Sequence, residues 1–150
     1  MKTDTEIQGK IEKPASGEKD PRLSESIEEY IERIYLDYTQ DGRGVRITDL
    51  AAAMNVSKAS ANDAVKKLKS MGYVEHERYG QIYLTEAGIG AGSAVYEKHI
   101  TLTRFLKEVL GVSAETAEKD ACMIEHIISD ETFARIKESL NNKLLLDLRK

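Results

Sequence analysis

Apolar residues recur at helical spacing from Ile27 through Tyr30, Ile31, Ile34 and Tyr35 to Tyr38, and this stripe predicts a first helix starting near Ser24 or Ser26. Ser26-Ile27-Glu28-Glu29 offers a capping box and favours the later start. Asp41-Gly42-Arg43-Gly44 then reads as a loop. Val45-Arg46-Ile47 reads as a short strand or turn, and Thr48 to Met54 as a short helix with Thr48 as candidate cap. Asn55-Val56 makes a turn. Ser57 caps a second helix that turns Ala61, Ala64, Val65 and Leu68 inward and stops near Met71-Gly72. Residues 73–78 and 81–85, joined at Tyr79-Gly80, predict a hairpin. Two short helices, a tight polar turn and a hairpin outline a winged helix-turn-helix.

Helical spacing resumes beyond Thr85. A long helix is expected from about Ile89 to Val109, carrying Val95, Tyr96, Leu102, Phe105, Leu106 and Val109. A shorter helix follows from Ser113 to Glu125 or beyond. A last one runs from Glu131 to about Leu140 behind Ser129 or Asp130, and the apolar cluster Leu144-Leu145-Leu146 comes after it. The expected fold is mainly α (α+β): a winged helix-turn-helix domain over 23–88 and an all-helical domain over 89–150. Residues 1–22 carry charges of both signs, two prolines and few large apolar side chains, so a mobile tail is expected there.

Composition narrows the function. The chain is 41% apolar and 32% charged over 150 residues, ordinary for a soluble globular protein. No apolar run approaches a membrane span, and the polar N-terminus lacks the core of a signal peptide, so a cytoplasmic protein without membrane contact is expected. One cysteine excludes an intramolecular disulfide. A net charge of −4 argues against a general nucleic-acid coat, but not against DNA binding through a local patch. Such a patch exists: Lys58, Lys66, Lys67 and Lys69 make the second helix of the motif basic. Ser57, Ser60 and Asn62 offer polar contacts, while Ala59 and Asp63 stand at its start and exposed face, where base edges are met. Arg78 and Tyr79 at the hairpin tip complete the candidate DNA-binding set.

The sharpest chemistry lies in Cys122-Met123-Ile124-Glu125-His126. Cys122, Glu125 and His126 stand at i, i+3 and i+4, so one helical face presents a thiol, a carboxylate and an imidazole. These are transition-metal ligands. Three of them leave a shell incomplete, and the suppliers at hand are the acidic run Glu28, Glu29 and Glu32 and the distant His99. The alternative is a surface helix with a half-buried thiol and a solvated acidic face.

Three separated segments carry a resemblance: Ser26-Ile27-Glu28-Glu29-Tyr30-Ile31-Glu32-Arg33-Ile34-Tyr35, the winged motif with its exit Leu84-Thr85-Glu86-Ala87-Gly88, and Lys98-His99 together with Glu118 to His126. In these, over about Leu23 to Leu140, the chain resembles metal-dependent repressors of the diphtheria toxin repressor and manganese transport regulator group. The resemblance implies a homodimeric repressor that binds a palindromic operator in double-stranded DNA when a divalent metal is present. It also implies metal ligands at Glu29, Glu32, His99, Cys122, Glu125 and His126. Cys122 matches the iron-sensing branch, where the manganese branch has Glu. Thr103 and Glu118 depart from the iron branch's ancillary site, although Glu118 remains able to ligate.

Carboxylates suit Mn(II) and Fe(II), whereas a thiolate favours Fe(II), Co(II) or Zn(II) over Mn(II). The combined reading ranks Fe(II) first and Mn(II) second, with Co(II) or Zn(II) able to bind in vitro. A buried, neutral Cys122 that does not ligate is the alternative for that residue. Two other function classes stand beside this one. One is a winged-helix regulator answering to another effector. The other is a zinc metallohydrolase, because Cys-x-x-Glu-His echoes the inverted zinc-protease motif His-x-x-Glu-His, with Cys replacing one required His.

Overall fold

In the computed structural model, which describes residues 23–77 and 80–150, six helices and one small hairpin follow one another as α1 (Glu25–Asp41), α2 (Ile47–Met54), α3 (Lys58–Ser70), β1 (Val74–His76), β2 (Ile82–Leu84), α4 (Glu86–Glu108), α5 (Ala114–Ile127) and α6 (Asp130–Asp147). The expected tail over 1–22 and the wing residues Arg78 and Tyr79 lie outside the described residues. The architecture is the mainly helical one, a winged helix-turn-helix followed by a helical half.

The predicted α1 stripe is the spine of the N-terminal core. Ile27, Tyr30, Ile31 and Ile34 are buried against Leu50, Ala61, Val65, Leu68, Val74 and Ile82. Each fully enclosed aliphatic side chain contributes about 1.5–3 kcal/mol relative to exposure. The helix starts at Ser24, not Ser26: the Ser24 hydroxyl accepts from Ile27 N–H, and Leu23 just before it is already buried in the core. Gly42, at φ 68°, ends α1 in the left-handed region that a side chain would disfavour.

Thr48 is not a cap. Val45 exchanges backbone hydrogen bonds with Ile82, 2.8 Å each way, so the chain is extended up to Arg46 and α2 begins at Ile47. Asn55, at φ 54°, makes the turn into α3, and the Ser57 hydroxyl caps α3 by accepting from Ser60 N–H. In the antiparallel hairpin Val74 pairs with Leu84, Glu75 with Tyr83 and His76 with Ile82.

Helix α4 begins one turn earlier than its apolar pattern suggests. Thr85 caps it by accepting from Gly88 N–H and donates to Gly72 O at 2.6 Å, which fastens the start of α4 to the end of α3. Helix α6 likewise runs past Leu140, so Leu144–Leu146 continue it instead of forming a separate tail. It is capped by Ser129. Helix α4 packs against α1 on one side and α5 and α6 on another. Among the described residues no helix is long and apolar enough to cross a membrane.

Close approach to α4 rests on glycines. A Cβ on Gly92 would stand 2.5 Å from Tyr35 Cβ, and one on Gly88 would stand 1.9 Å from Tyr73 O, whereas one on Gly90 would meet nothing within 4 Å. Two glycines of one helix should therefore respond oppositely. Gly88→Ala should lower stability by about 1–3 kcal/mol or more through overpacking, and Gly90→Ala should raise it by about 0.5–1 kcal/mol through helix propensity. Denaturant unfolding of the two variants measures both signs.

Candidate metal centre and nucleic-acid interface

Three helices deliver the candidate ligands to one cleft. Helix α1 brings Glu28, Glu29 and Glu32, the middle of α4 brings His99, and successive turns of α5 bring Glu118, Cys122, Glu125 and His126. The spacing on α5 follows from helical periodicity, since residues three and four apart share a face. Ala117 and Ala121, both fully enclosed, let α5 lie close on α4, as Gly92 lets α1 do on the other side. The resulting cleft of about 440 Å³ is lined by Glu29, Glu32, His99, Glu118, Cys122, Glu125 and His126, with Leu36, Met54, Tyr96 and Ile100 among its apolar walls.

The donors fall into two groups of three, His99/Glu118/Cys122 and Glu32/Glu125/His126, with ligand atoms within 4.8 Å of one another inside each. His99 donates from Nε2 to Glu118 Oε1 at 2.7 Å and from Nδ1 to Glu125 Oε2 at 2.8 Å, and Cys122 Sγ lies 3.8 Å from Nδ1. His126 Nε2 stands 3.3 Å from Glu125 Oε1 and 3.9 Å from Glu29 Oε1. Glu29 thus borders the second group from an exposed position. Every ligand expected from the sequence reaches the cleft, Glu118 included.

The acidic run offered Glu28 as a further ligand, and the structure instead places it behind His126, outside the cleft lining. Glu28 is buried, and its Oε2 accepts from His126 Nδ1 at 2.9 Å. A signal existed in the pattern: Glu28 stands three residues before Ile31 and seven before Tyr35, so a carboxylate occupies a position on the inward side of α1.

Electrostatics mark the cleft as cation-seeking. Burial first, and then the Glu125 carboxylate, push Glu32 up to about 7. His99 is pushed up to about 9, chiefly by its hydrogen bond to Glu125 and further by Glu118, against the opposing effect of burial. His126 is raised chiefly by its hydrogen bond to Glu28. Partial burial and the surrounding carboxylates lift the Cys122 thiol to about 11, although the residue is exposed, not the buried small hydrophobe of the alternative reading. Glu32, the two histidines and the Cys122 thiol thus hold protons that a divalent cation can replace, and the mixed O, N and S donors fit a transition ion.

On the other side of the N-terminal unit, Ser57, Lys58, Ala59, Ser60, Asp63, Lys66 and Lys67 are exposed on α3 and Asn62 is half-buried. Lys69 turns away from this set, since its ammonium donates to His76 O at 3.1 Å and ties the hairpin to α3. His76 Nε2 donates to Gly80 O at 3.1 Å inside the hairpin, away from the ligand cluster.

Residues 22–82 match the family model of the iron-dependent repressor N-terminal DNA-binding domain, and residues 85–143 match that of the iron-dependent repressor metal-binding and dimerisation domain. The chain belongs to the iron-dependent repressor family. Members of this family are metal-dependent transcriptional regulators, and the likeness extends to individual relatives. The chain is 42% identical over 115 residues to an uncharacterized HTH-type transcriptional regulator of Methanocaldococcus jannaschii, covering 77% of this chain and 92% of that one. It is 36% identical over 111 residues to the HTH-type transcriptional regulator MntR of Shouchella clausii, covering 74% and 76%. A solved manganese-dependent transcriptional repressor in complex with manganese superposes with a TM-score of 0.71 at 30% identity, over 77% of this chain and 52% of that one. The chain thus spans about half the length of that structure.

Within this family fold the cleft charges predict a pH profile for the metal-free protein. Glu32 is raised from 4.5 to about 7 and His99 from 6.5 to about 9, so both bind protons more tightly folded than unfolded. Their stabilisation is complete below the unfolded values and is lost as pH rises through the folded ones. Stability in EDTA should therefore fall from about pH 5 to about pH 9. Glu32→Gln should remove the lower part of the fall and His99→Gln the upper part, as read by urea unfolding across a pH series.

Proposed function

We propose that this regulator is a homodimeric repressor that binds palindromic operator DNA when a divalent metal, Fe(II) before Mn(II), joins α1 to α4 and α5. The ligands are Glu29, Glu32, His99, Cys122, Glu125 and His126, with Glu118 added beside His99. The observation that carries the reading is the meeting of Glu32 from the N-terminal unit with Glu125 and His126 from α5 in one donor group. A divalent cation supplies positive charge that offsets the carboxylate repulsion and Lewis acidity that displaces the protons held there.

The chain's own residues do the rest. Glu32 and Glu29 report on the cleft through α1, whose apolar stripe shares a core with Val65 and Leu68 of α3. Burial of that stripe makes α1 and α3 move together, so the spacing of donors in the cleft constrains the placing of α3. Two α3 helices of a dimer must reach adjacent major grooves about 34–36 Å apart. Lys58, Lys66 and Lys67 meet phosphates, Ser57, Ala59, Ser60, Asn62 and Asp63 face the groove, and Arg78 and Tyr79 belong to the wing. The helical half supports dimerisation: it buries few large side chains of its own, while Met123 and Ile127, one turn apart on α5, stay 62% and 77% exposed.

The soft sulfur of Cys122 favours Fe(II) over Mn(II). The metallohydrolase reading has no comparable support, since the relatives described above are transcriptional regulators.

Titration of DNA binding at fixed salt with metal-free protein and with Fe(II), Mn(II), Co(II) and Zn(II) tests the proposal. Tight binding should require metal, and Cys122→Glu should move the ranking from Fe(II) towards Mn(II). Metal-independent binding would point to another effector, and an unchanged ranking in Cys122→Glu would return manganese to first place. Lys67→Ala should weaken binding to all sequences alike and flatten the salt slope by about one unit. An altered sequence preference with the slope intact would move Lys67 from the phosphates to the base edges.

A further inference from the structure

We propose that Glu28 is a positioning residue: it holds the His126 ring from the far side and presents Nε2 to the donor group of Glu32 and Glu125. The inference rests on the reading of His126 as a metal ligand and adds a residue outside the ligand set.

The side chains of Glu28 and His126 are 4% and 1% exposed, and they meet at 2.9 Å from Oε2 to Nδ1 across a separation of 98 residues. An ionised carboxylate only accepts, so the proton between them sits on His126 Nδ1. Nε2 is then the nitrogen left to serve the cleft, and it points there, 3.3 Å from Glu125 Oε1. A carboxylate on Nδ1 fixes both the tautomer and the ring plane of a metal-binding histidine and raises its basicity.

Burial makes the choice of residue informative. Glu28 lies on the inward side of α1 beside Ile27 and Ile31, where an apolar side chain would pack without desolvating a charge. Its partner explains the exception. Because the bond joins the N-terminal unit to α5, Glu28 also registers α1 against the cleft. Glu29 follows it in sequence and Glu32 stands one turn on, so the aim of His126 and the reach of Glu32 are set by one contact.

The test uses the full chain with ¹⁵N-labelled histidine, together with Co(II) affinity read by visible absorption. Glu28→Leu keeps the volume and removes the acceptor, and Glu28→Gln keeps both shape and acceptor. In metal-free protein, a slowly exchanging proton on His126 Nδ1 should be present in wild type and in Glu28→Gln and absent in Glu28→Leu. Co(II) affinity should fall about 10–100-fold in Glu28→Leu and about tenfold in Glu28→Gln. Wild-type Co(II) affinity in Glu28→Leu, or an unchanged Nδ1 proton there, overturns the positioning role. If Glu28→Leu does not fold, Glu28→Gln decides alone, and wild-type affinity in it overturns the role. His126→Ala and Glu125→Ala separate ligation from positioning. Should neither weaken Co(II) binding, the ligand assignment falls and the positioning role falls with it. Should both weaken it while the Glu28 variants do not, the positioning role alone is lost.

Discussion

Carboxylate crowding between α1 and α5 is the constraint on which the proposed metal switch turns. Glu32 and Glu125 share a group with His126, while Glu125 and Glu118 hold both nitrogens of His99. Burial of Glu32 and the neighbouring Glu125 carboxylate disfavour its charged form, and Glu32 accordingly keeps its proton up to about pH 7. The arrangement is tolerable with protons on Glu32 and His99, and it is suited to a divalent cation. A structure stabilised this way depends on what occupies the cleft, as a switch requires.

Helix α1 makes the cleft matter elsewhere. One side carries Ile27, Tyr30, Ile31 and Ile34 into the core that also seats α3, while an adjacent side carries Glu28, Glu29 and Glu32 towards α5. Gly92 lets α1 approach α4 closely enough for both sides to be engaged at once. A rigid helix shared by two packing surfaces cannot alter its relation to one without the other. A coupling of about 1–3 kcal/mol between cleft occupancy and α3 placement suffices for regulation, because it shifts a two-state population roughly 5- to 150-fold.

Much of this was legible from residue pattern. The inward residues expected on α3, Ala61, Ala64, Val65 and Leu68, are all buried, and the Cys122, Glu125 and His126 spacing put its donors on one cleft wall. What escaped depends on tertiary placement. Ser26 fits a capping box locally, yet burial of Leu23 draws the start of α1 back to Ser24. Thr48 looks like a cap, but the Val45–Ile82 bridge starts α2 before it. The division of donors into two groups, and the burial of Glu28 while Glu29 stays exposed, follow from the rotation of α1 against α5, which one-dimensional spacing does not encode.

The central claim is that carboxylate repulsion in the cleft holds the metal-free protein away from its DNA-binding arrangement. It is tested most directly by removing that repulsion without adding metal. The measurement is the DNA affinity of the Glu32→Gln/Glu125→Gln double variant in EDTA, at fixed salt and above pH 7, where Glu32 of the wild type is ionised, on an operator selected with metal-loaded wild type. The account predicts that the metal-free variant binds more tightly than metal-free wild type and that added ion improves it little. Binding as weak as that of metal-free wild type would contradict the claim and show that charge relief alone does not set the position of α3.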